Sequence, residues 1–242
     1  LDAHKAYWNG FIVIYNTMPD IKMLYDRHLY IDSLSFSRGG RKIISSLFLT
    51  FGPNEVIGIL GKNGSGKSTL MNIIFGAIKP DFAFMRCRGV KFEKGYRTKE
   101  IVYLPQEGFL PRELRLSEAL RLFEIDDPYV LDLSCIQENL NSRLRNLSSG
   151  MIRFIETLIL LHTKHSFVLL DEPFLGLSPI FIEQISAHIE HVRHRKGILI
   201  ADHNFRQVMD VSDRLYLLKD SHLIDVSTQE DLVFEGYIKQ ID

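Results

Sequence analysis

Gly61-Lys62-Asn63-Gly64-Ser65-Gly66-Lys67-Ser68-Thr69 fills every fixed position of the phosphate-loop pattern G-x-x-x-x-G-K-[ST]. The apolar run Val56-Ile57-Gly58-Ile59-Leu60 just before it reads as a buried strand, and Leu70-Met71-Asn72-Ile73-Ile74-Phe75 just after it reads as a helix start. A glycine loop between strand and helix is the context that gives the pattern its mechanism. Glycines let the backbone wrap closely round a polyphosphate with N–H groups turned inward. The helix start adds unpaired N–H groups and the positive end of its dipole. Lys67 can reach β- and γ-phosphates, and the Ser68 hydroxyl can take Mg²⁺. The stretch predicts a nucleoside triphosphate site with magnesium.

The 242 residues suffice for one large domain or two small ones. A hydrophobic content of 45% and a charged content of 24% are those of an ordinary soluble globular chain. The net charge of −1 lacks the basic excess that a nucleic-acid partner would call for, so none is expected. Cys87 and Cys135 lie far apart without C-x-x-C spacing, which predicts two unpaired thiols in a reducing cytosol rather than a zinc site. No apolar run reaches the roughly 18–20 residues of a membrane span, so work at a membrane would need a partner. Trp8 and Phe11-Ile12-Val13-Ile14-Tyr15 form a run too short to span, without a small-residue cleavage site. Met18 and Met23 are possible alternative starts; residues 1–22 read as an extension outside the core domain, or as an extra edge strand, with the main domain over 23–242.

Outward from the loop, residues 29–36 and 42–51 read as strands across the turn Ser37-Arg38-Gly39-Gly40-Arg41, an antiparallel hairpin before the first core strand. Residues 70–78 read as a helix ended by Pro80, 84–92 as a short strand, 101–104 as another, and 117–124 as a helix with Ser117 as its N-cap. Residues 128–146 are mixed and partly helical. Helices over 150–163, 179–195 and 204–211 then alternate with buried strands over 167–170 and 197–201, and a hairpin spans 215–226. This alternation predicts an α/β fold: a P-loop core with a mostly parallel sheet, an antiparallel β subdomain on its N-terminal side and a small helical subdomain.

Phe167-Val168-Leu169-Leu170-Asp171-Glu172 is a buried strand ending in two carboxylates, at the strand end where α/β sheets bind ligands. Asp171 can hold Mg²⁺, and Glu172 can polarise an attacking water. Leu147-Ser148-Ser149-Gly150-Met151 opens a helix, an anion site in its own right.

Taken together, the phosphate loop, Gln106 after a strand, the Leu-Ser-x-Gly segment, Leu-Leu-Asp-Glu-Pro and a later His203 resemble, in order and spacing, the nucleotide-binding subunit of ABC transporters over residues 29–226. Glu172-Pro173-Phe174 and Ala201-Asp202-His203-Asn204 look most like the ATPases of branched-chain amino-acid importers and of lipopolysaccharide export. The resemblance implies ATP and Mg²⁺ as ligands, Ser68, Gln106 and Asp171 on the metal, and Glu172, His203 and Gln106 in catalysis. It implies that Ser148, Ser149 and Gly150 close on the ATP of an opposite subunit, hence a homodimer or a paired ATPase. It also implies a separate integral membrane subunit driven through Gln106 and the helical lobe at 107–146, and a place at the cytoplasmic face of the cell membrane. Phe36 or Arg38 would stack on the base.

The chain departs from the family's usual Leu-Ser-Gly-Gly-Gln by Ser149 and Met151, and carries Ser178 where Asp is usual. If the glycine replaced by Ser149 needs a positive φ, the loop is strained. Two other readings therefore stand beside a transport ATPase: a soluble ABC ATPase without a membrane partner, and a clamp that binds ATP but hydrolyses it slowly. His188, His191 and His194 recur at every third position; the outer pair lies about 120° apart round a helix, which suits a solvated face better than a shared metal. The basic stretch from Arg86 to Lys99 reads as a solvated hairpin.

Overall fold

The computed structural model describes residues 26–239. The readings of Trp8, Phe11–Tyr15, Met18, Met23 and residues 1–22 lie outside them. Strands β1 (Leu29–Arg38) and β2 (Arg41–Phe51) form the expected hairpin, Leu29 facing Phe51 and Arg38 facing Arg41. Gly39 and Gly40 take φ of 58° and 77°, which a two-residue turn of this hand requires. Strand β3 (Glu55–Leu60) leads through the phosphate loop into α1 (Lys67–Phe75). Then come β4 (Phe82–Cys87), β5 (Val90–Lys91) and β6 (Ile101–Leu104). Three short helices follow, α2 (Leu116–Leu122), α3 (Pro128–Leu131) and α4 (Ser134–Gln137). The last part alternates α5 (Ser149–His162), β7 (Phe167–Asp171), α6 (Pro179–Arg193), β8 (Gly197–Ala201) and α7 (Phe205–Val211). The hairpin β9 (Arg214–Lys219) and β10 (His222–Val226) and helix α8 (Gln229–Phe234) complete the described chain.

Two sheets result. One is antiparallel in the order β2-β1-β4-β5; the other runs β10-β9-β3-β8-β7-β6, and every pairing in it is parallel except β9 with β10. The fold is the expected α/β arrangement. Alternate residues of the central strands enter opposite cores, as strand geometry demands. Val168, Leu170, Ile198 and Ile200 join the core beneath α5, α6 and the short helices. Phe167, Leu169, Leu199 and Ala201 join the core that α1 shares with the antiparallel sheet. Burial on both faces explains why these strands are unbroken apolar runs. Side chains from 107–146, among them Leu116, Ala119, Val130 and Ile136, pack into the same core as α5.

Several local readings need correction. Helix α1 ends at Gly76, not at Pro80: Gly76 has φ 97° and its N–H reaches the carbonyls of Asn72 and Ile73. The strand expected over 84–92 is a hairpin broken at Arg88-Gly89, both at positive φ. The residue preceding α2 is Arg115, not Ser117; its N–H donates to the Glu118 carboxylate at 2.8 Å. Helix α8 was not foreseen, although Thr228 and Asp231 cap it reciprocally.

On the histidine face of α6, His191 and His194 are exposed as expected, and His188 is the difference. His188 is only 2% exposed. Its Nδ1 lies 2.8 Å from His162 Nε2 on α5, and His162 Nδ1 lies 2.7 Å from Asp127. Tyr129 packs edge-on against His188 and stacks on His191. Among the described residues no group of three His, Cys, Asp or Glu is placed to hold a metal ion. Burial, reinforced by His162 and His191 and opposed by Asp127, drives His188 down from 6.5 to about 4. The unfolded chain thus takes up this proton first. The histidine's contribution to stability is intact above pH 6.5 and is lost as the pH falls toward 4. The melting temperature of the parent should decline across that window more steeply than that of His188→Gln; parallel slopes would show that His188 is not the group responsible.

Candidate nucleotide site

The phosphate loop connects β3 to α1 at the carboxyl edge of the parallel sheet. Gly64 and Gly66 take φ of 79° and 113°, conformations that a side chain would oppose. A Cβ on Gly61 would sit 2.5 Å from Ser65 Oγ. Ser65 N–H donates to the Lys62 carbonyl at 3.0 Å, which closes the loop on itself. Lys67 is buried and donates to the Gly61 carbonyl at 2.6 Å and, at 3.4 Å, to that of Lys62. Burial lowers its pKa, against the pull of Glu172, Asp171 and Asp202.

Asp171, the last residue of β7, is fully buried. One of its oxygens accepts from the Tyr103 hydroxyl at 3.1 Å, while the other, Oδ1, has no hydrogen-bond partner. Burial raises its pKa; Ser68 and Tyr103 act in the opposite direction. Tyr103 itself accepts from the Asn72 amide at 3.1 Å, so α1 and β7 are bridged through β6.

Glu172 turns out of the strand with φ 54°. Its Oε2 accepts from Gln106 Nε2 at 2.9 Å, and its Oε1 lies 3.4 Å from His203 Nδ1. The structure thus gathers Gln106, Glu172 and His203, expected from far-apart sequence positions, round one carboxylate. Asp202 was missed. Only 1% exposed, it follows β8 and accepts the N–H groups of His203 and Asn204 at 2.7 and 2.9 Å, which fixes the His203 backbone. Tyr237, beyond the last element foreseen, donates its hydroxyl to the His203 carbonyl at 3.1 Å.

A cavity of ≈ 290 Å³ lies beside the loop, walled in part by Arg41, Ile43, Asn63, Leu218 and Tyr237. Phe36 and Arg38 are not among its walls: Phe36 is half-buried against the core under the antiparallel sheet, and Arg38 is exposed at the hairpin turn. Ser148 and Ser149 are exposed at the start of α5 and are not among the cavity's walls. Ser148 Oγ accepts the Met151 N–H at 3.1 Å. Ser149 is the first helical residue and is not at positive φ, so no strain attends it. Gly150 is the glycine that the packing requires: a Cβ there would meet the Gly176 carbonyl oxygen at 2.6 Å. Met151 turns into the core.

The chain is similar to known proteins over most of its length. The family model described as ABC transporter matches residues 44–175. The lipopolysaccharide export system ATP-binding protein LptB of Haemophilus influenzae is 31% identical over 88% of this chain and 95% of its own length. That of Escherichia coli (strain K12) is 30% identical over 84% and 91%. A solved ATP-binding subunit of an ABC transporter superposes with a TM-score of 0.76 at 23% identity, over 86% of this chain and 93% of that one.

Loss of the Lys67 ammonium removes a charge-assisted donor, worth about 1.5–3 kcal/mol. Lys67→Ala should therefore weaken ATP binding by about 10- to 100-fold in a fluorescent-nucleotide titration. An unchanged Kd would separate the lysine from the phosphates.

Proposed function

The chain belongs to the ABC transporter family and is an ATP-binding, ATP-hydrolysing subunit that energises a transporter; from that premise we propose that Glu172, oriented by Gln106 and His203, is the base of the hydrolytic step. The observation that carries this reading is the pair of contacts on its carboxylate, one from each side. Lys67, the loop N–H groups and the start of α1 would bind the β- and γ-phosphates. A water in line with the γ-phosphorus would give its proton to Glu172 as its oxygen attacks, while the bond to ADP breaks. With Nδ1 turned to Glu172, His203 would keep Nε2 for a γ-phosphate oxygen or the attacking water.

The donor set fits magnesium. Asp171 Oδ1 is buried without a partner, and the Ser68 hydroxyl stands beside the same carboxylate. Ser68 and Asp171 would hold the ion directly or through water, with Gln106 a further oxygen donor from the loop after β6. The ion would supply positive charge to the β- and γ-phosphate oxygens.

The partners we propose are a second ATPase subunit, identical or paired, and an integral membrane subunit. Ser148 and the start of α5 lie exposed; Gly150 meets the turn at Gly176, and Leu175 and Ile180, before and after that turn, are 44% and 60% exposed. An anion site flanked by bare apolar side chains suits a face that closes on a second copy. Among the described residues no helix is long and apolar enough to cross a membrane. In this reading the membrane subunit is a separate chain, reached through Gln106 and the helices of 107–146, and the subunit works at the cytoplasmic face. Kinship with lipopolysaccharide export ATPases favours an export system of that kind.

Glu172→Gln should cut steady-state ATP hydrolysis by about 10²-fold or more and leave nucleotide affinity near that of the parent. With ATP it should accumulate as a dimer in light scattering. Equal turnover in the two proteins would remove Glu172 from the chemistry. Background turnover in both, with ATP still driving dimerisation, would favour the slow clamp.

A further inference from the structure

Arg153 and Glu156 lie one turn apart on α5 and are 6% and 2% exposed. Arg153 acts as a three-way fork. Its Nε donates to the Glu172 carbonyl at 3.1 Å, its Nη1 to the Pro105 carbonyl at 2.7 Å, and its Nη2 to the Asp171 carbonyl. Glu156 grips the far side of the loop that carries Gln106. Its Oε1 accepts the N–H groups of Phe109 and Leu110 at 2.8 and 2.9 Å, and its Oε2 lies 3.9 Å from Arg153 Nη1. Gly108 permits this grip: it has φ 80°, and a Cβ there would lie 2.6 Å from each Glu156 oxygen.

Glu172 depends on such a hold. A non-glycine residue at φ 54° persists only where its surroundings over-determine it. Its N–H is tied to the Ala201 carbonyl on β8 at 2.7 Å, and its carbonyl is tied to Arg153. The same guanidinium holds Pro105, the residue before Gln106. Backbone and side chain of Glu172 are thereby fixed from the same loop, one through Arg153 and the other through Gln106.

We propose that Arg153, anchored by Glu156, is a positioning residue for hydrolysis that fastens the Gln106 loop to the peptides of Asp171 and Glu172, so that displacement of the loop misaligns the Glu172 carboxylate. The inference rests on the reading of Glu172 as the base. A planar guanidinium can serve three carbonyls at once, whereas an ammonium on a flexible stem cannot hold all three in a fixed plane.

The test measures kcat, KM, ATP affinity and melting temperature for the parent, Arg153→Lys, Arg153→Gln and Glu172→Gln, with Arg153→Lys also placed in the Glu172→Gln background. Misplacing a catalytic group by an ångström can cost about 10²-fold, so Arg153→Gln should lose kcat on that scale with ATP affinity within about threefold of the parent. Arg153→Lys should recover only part of the rate while melting near the parent. In the Glu172→Gln background the lysine substitution should cost nothing further, because two residues acting through one group are not additive. Parental kcat in Arg153→Lys, or a full additional loss in the double variant, overturns the positioning role. If Glu172→Gln itself turns over at the parental rate, the reading of the base falls and the inference falls with it. If Arg153→Gln does not fold, the lysine pair still decides.

Discussion

Ionisable side chains are taken out of water along the carboxyl edge of the parallel sheet and its neighbouring helices: Lys67, Arg153, Glu156, Asp171, Glu172 and Asp202 are each less than 9% exposed. Burying a charge is costly unless it is paired and hydrogen-bonded. The local structure follows from that constraint. Lys67 is met by loop carbonyls, Arg153 by three strand-end and loop carbonyls, and Asp202 by two backbone N–H groups. The parallel sheet makes this possible, because β3, β7 and β8 end side by side and their outgoing chains supply the unpaired backbone groups. One atom is left out, Asp171 Oδ1. A buried oxygen without a partner in an otherwise satisfied cluster is where a ligand's positive charge gains most.

The layers that carry this edge have separate tasks. Helix α1 and the antiparallel sheet share one core, so the phosphate loop is fixed from below by apolar packing. Helix α5 belongs to the other core, and it carries Ser148 at its exposed end and Arg153 and Glu156 in its buried first turns. A helix with an exposed start and buried first turns that clamp the Gln106 loop joins the two positions through a rigid element. Asp127, His162 and His188 fasten the far end of that helix to the segment after α2 and to α6. Both ends of α5 are thus anchored by polar contacts, with an apolar stretch between.

What was legible in the sequence was local. The phosphate loop, the strand runs at 56–60, 167–170 and 197–201, and the carboxylate pair after β7 are contiguous patterns, and they set the α/β fold and the positions of Lys67, Asp171 and Glu172. The misreadings have tertiary causes. Ser117 looked like a cap because capping is a short-range preference, yet the chain enters α2 from Arg115 and Glu118 closes the turn. His188 looked solvated because periodicity on one helix does not show that His162 and Tyr129 cover it from elsewhere. Tyr103, Arg153 and Tyr237 carry no motif of their own and matter through partners 30 or more positions away; Asp202 holds the next two N–H groups, which gains meaning only once the fold sets His203 beside Glu172.

The departures from the usual Leu-Ser-Gly-Gly-Gln segment acquire a physical explanation from the same geometry. A helical start at Ser149 makes no demand on a positive φ, so a serine there costs little. The next position admits no side chain, because α5 begins in contact with the Gly176 carbonyl, and the chain keeps Gly150 there. Met151 packs into the core, where a thioether is better placed than an amide that would need partners. Ser148 and Ser149 lie exposed at this helix end, where Ser148 Oγ caps the Met151 N–H and the earlier N–H groups of the first turn have no partner within the helix; a phosphate would use such groups. The segment therefore keeps a regular helical start with Ser149 and Met151 in place, and neither substitution alters the backbone that a helix terminus presents.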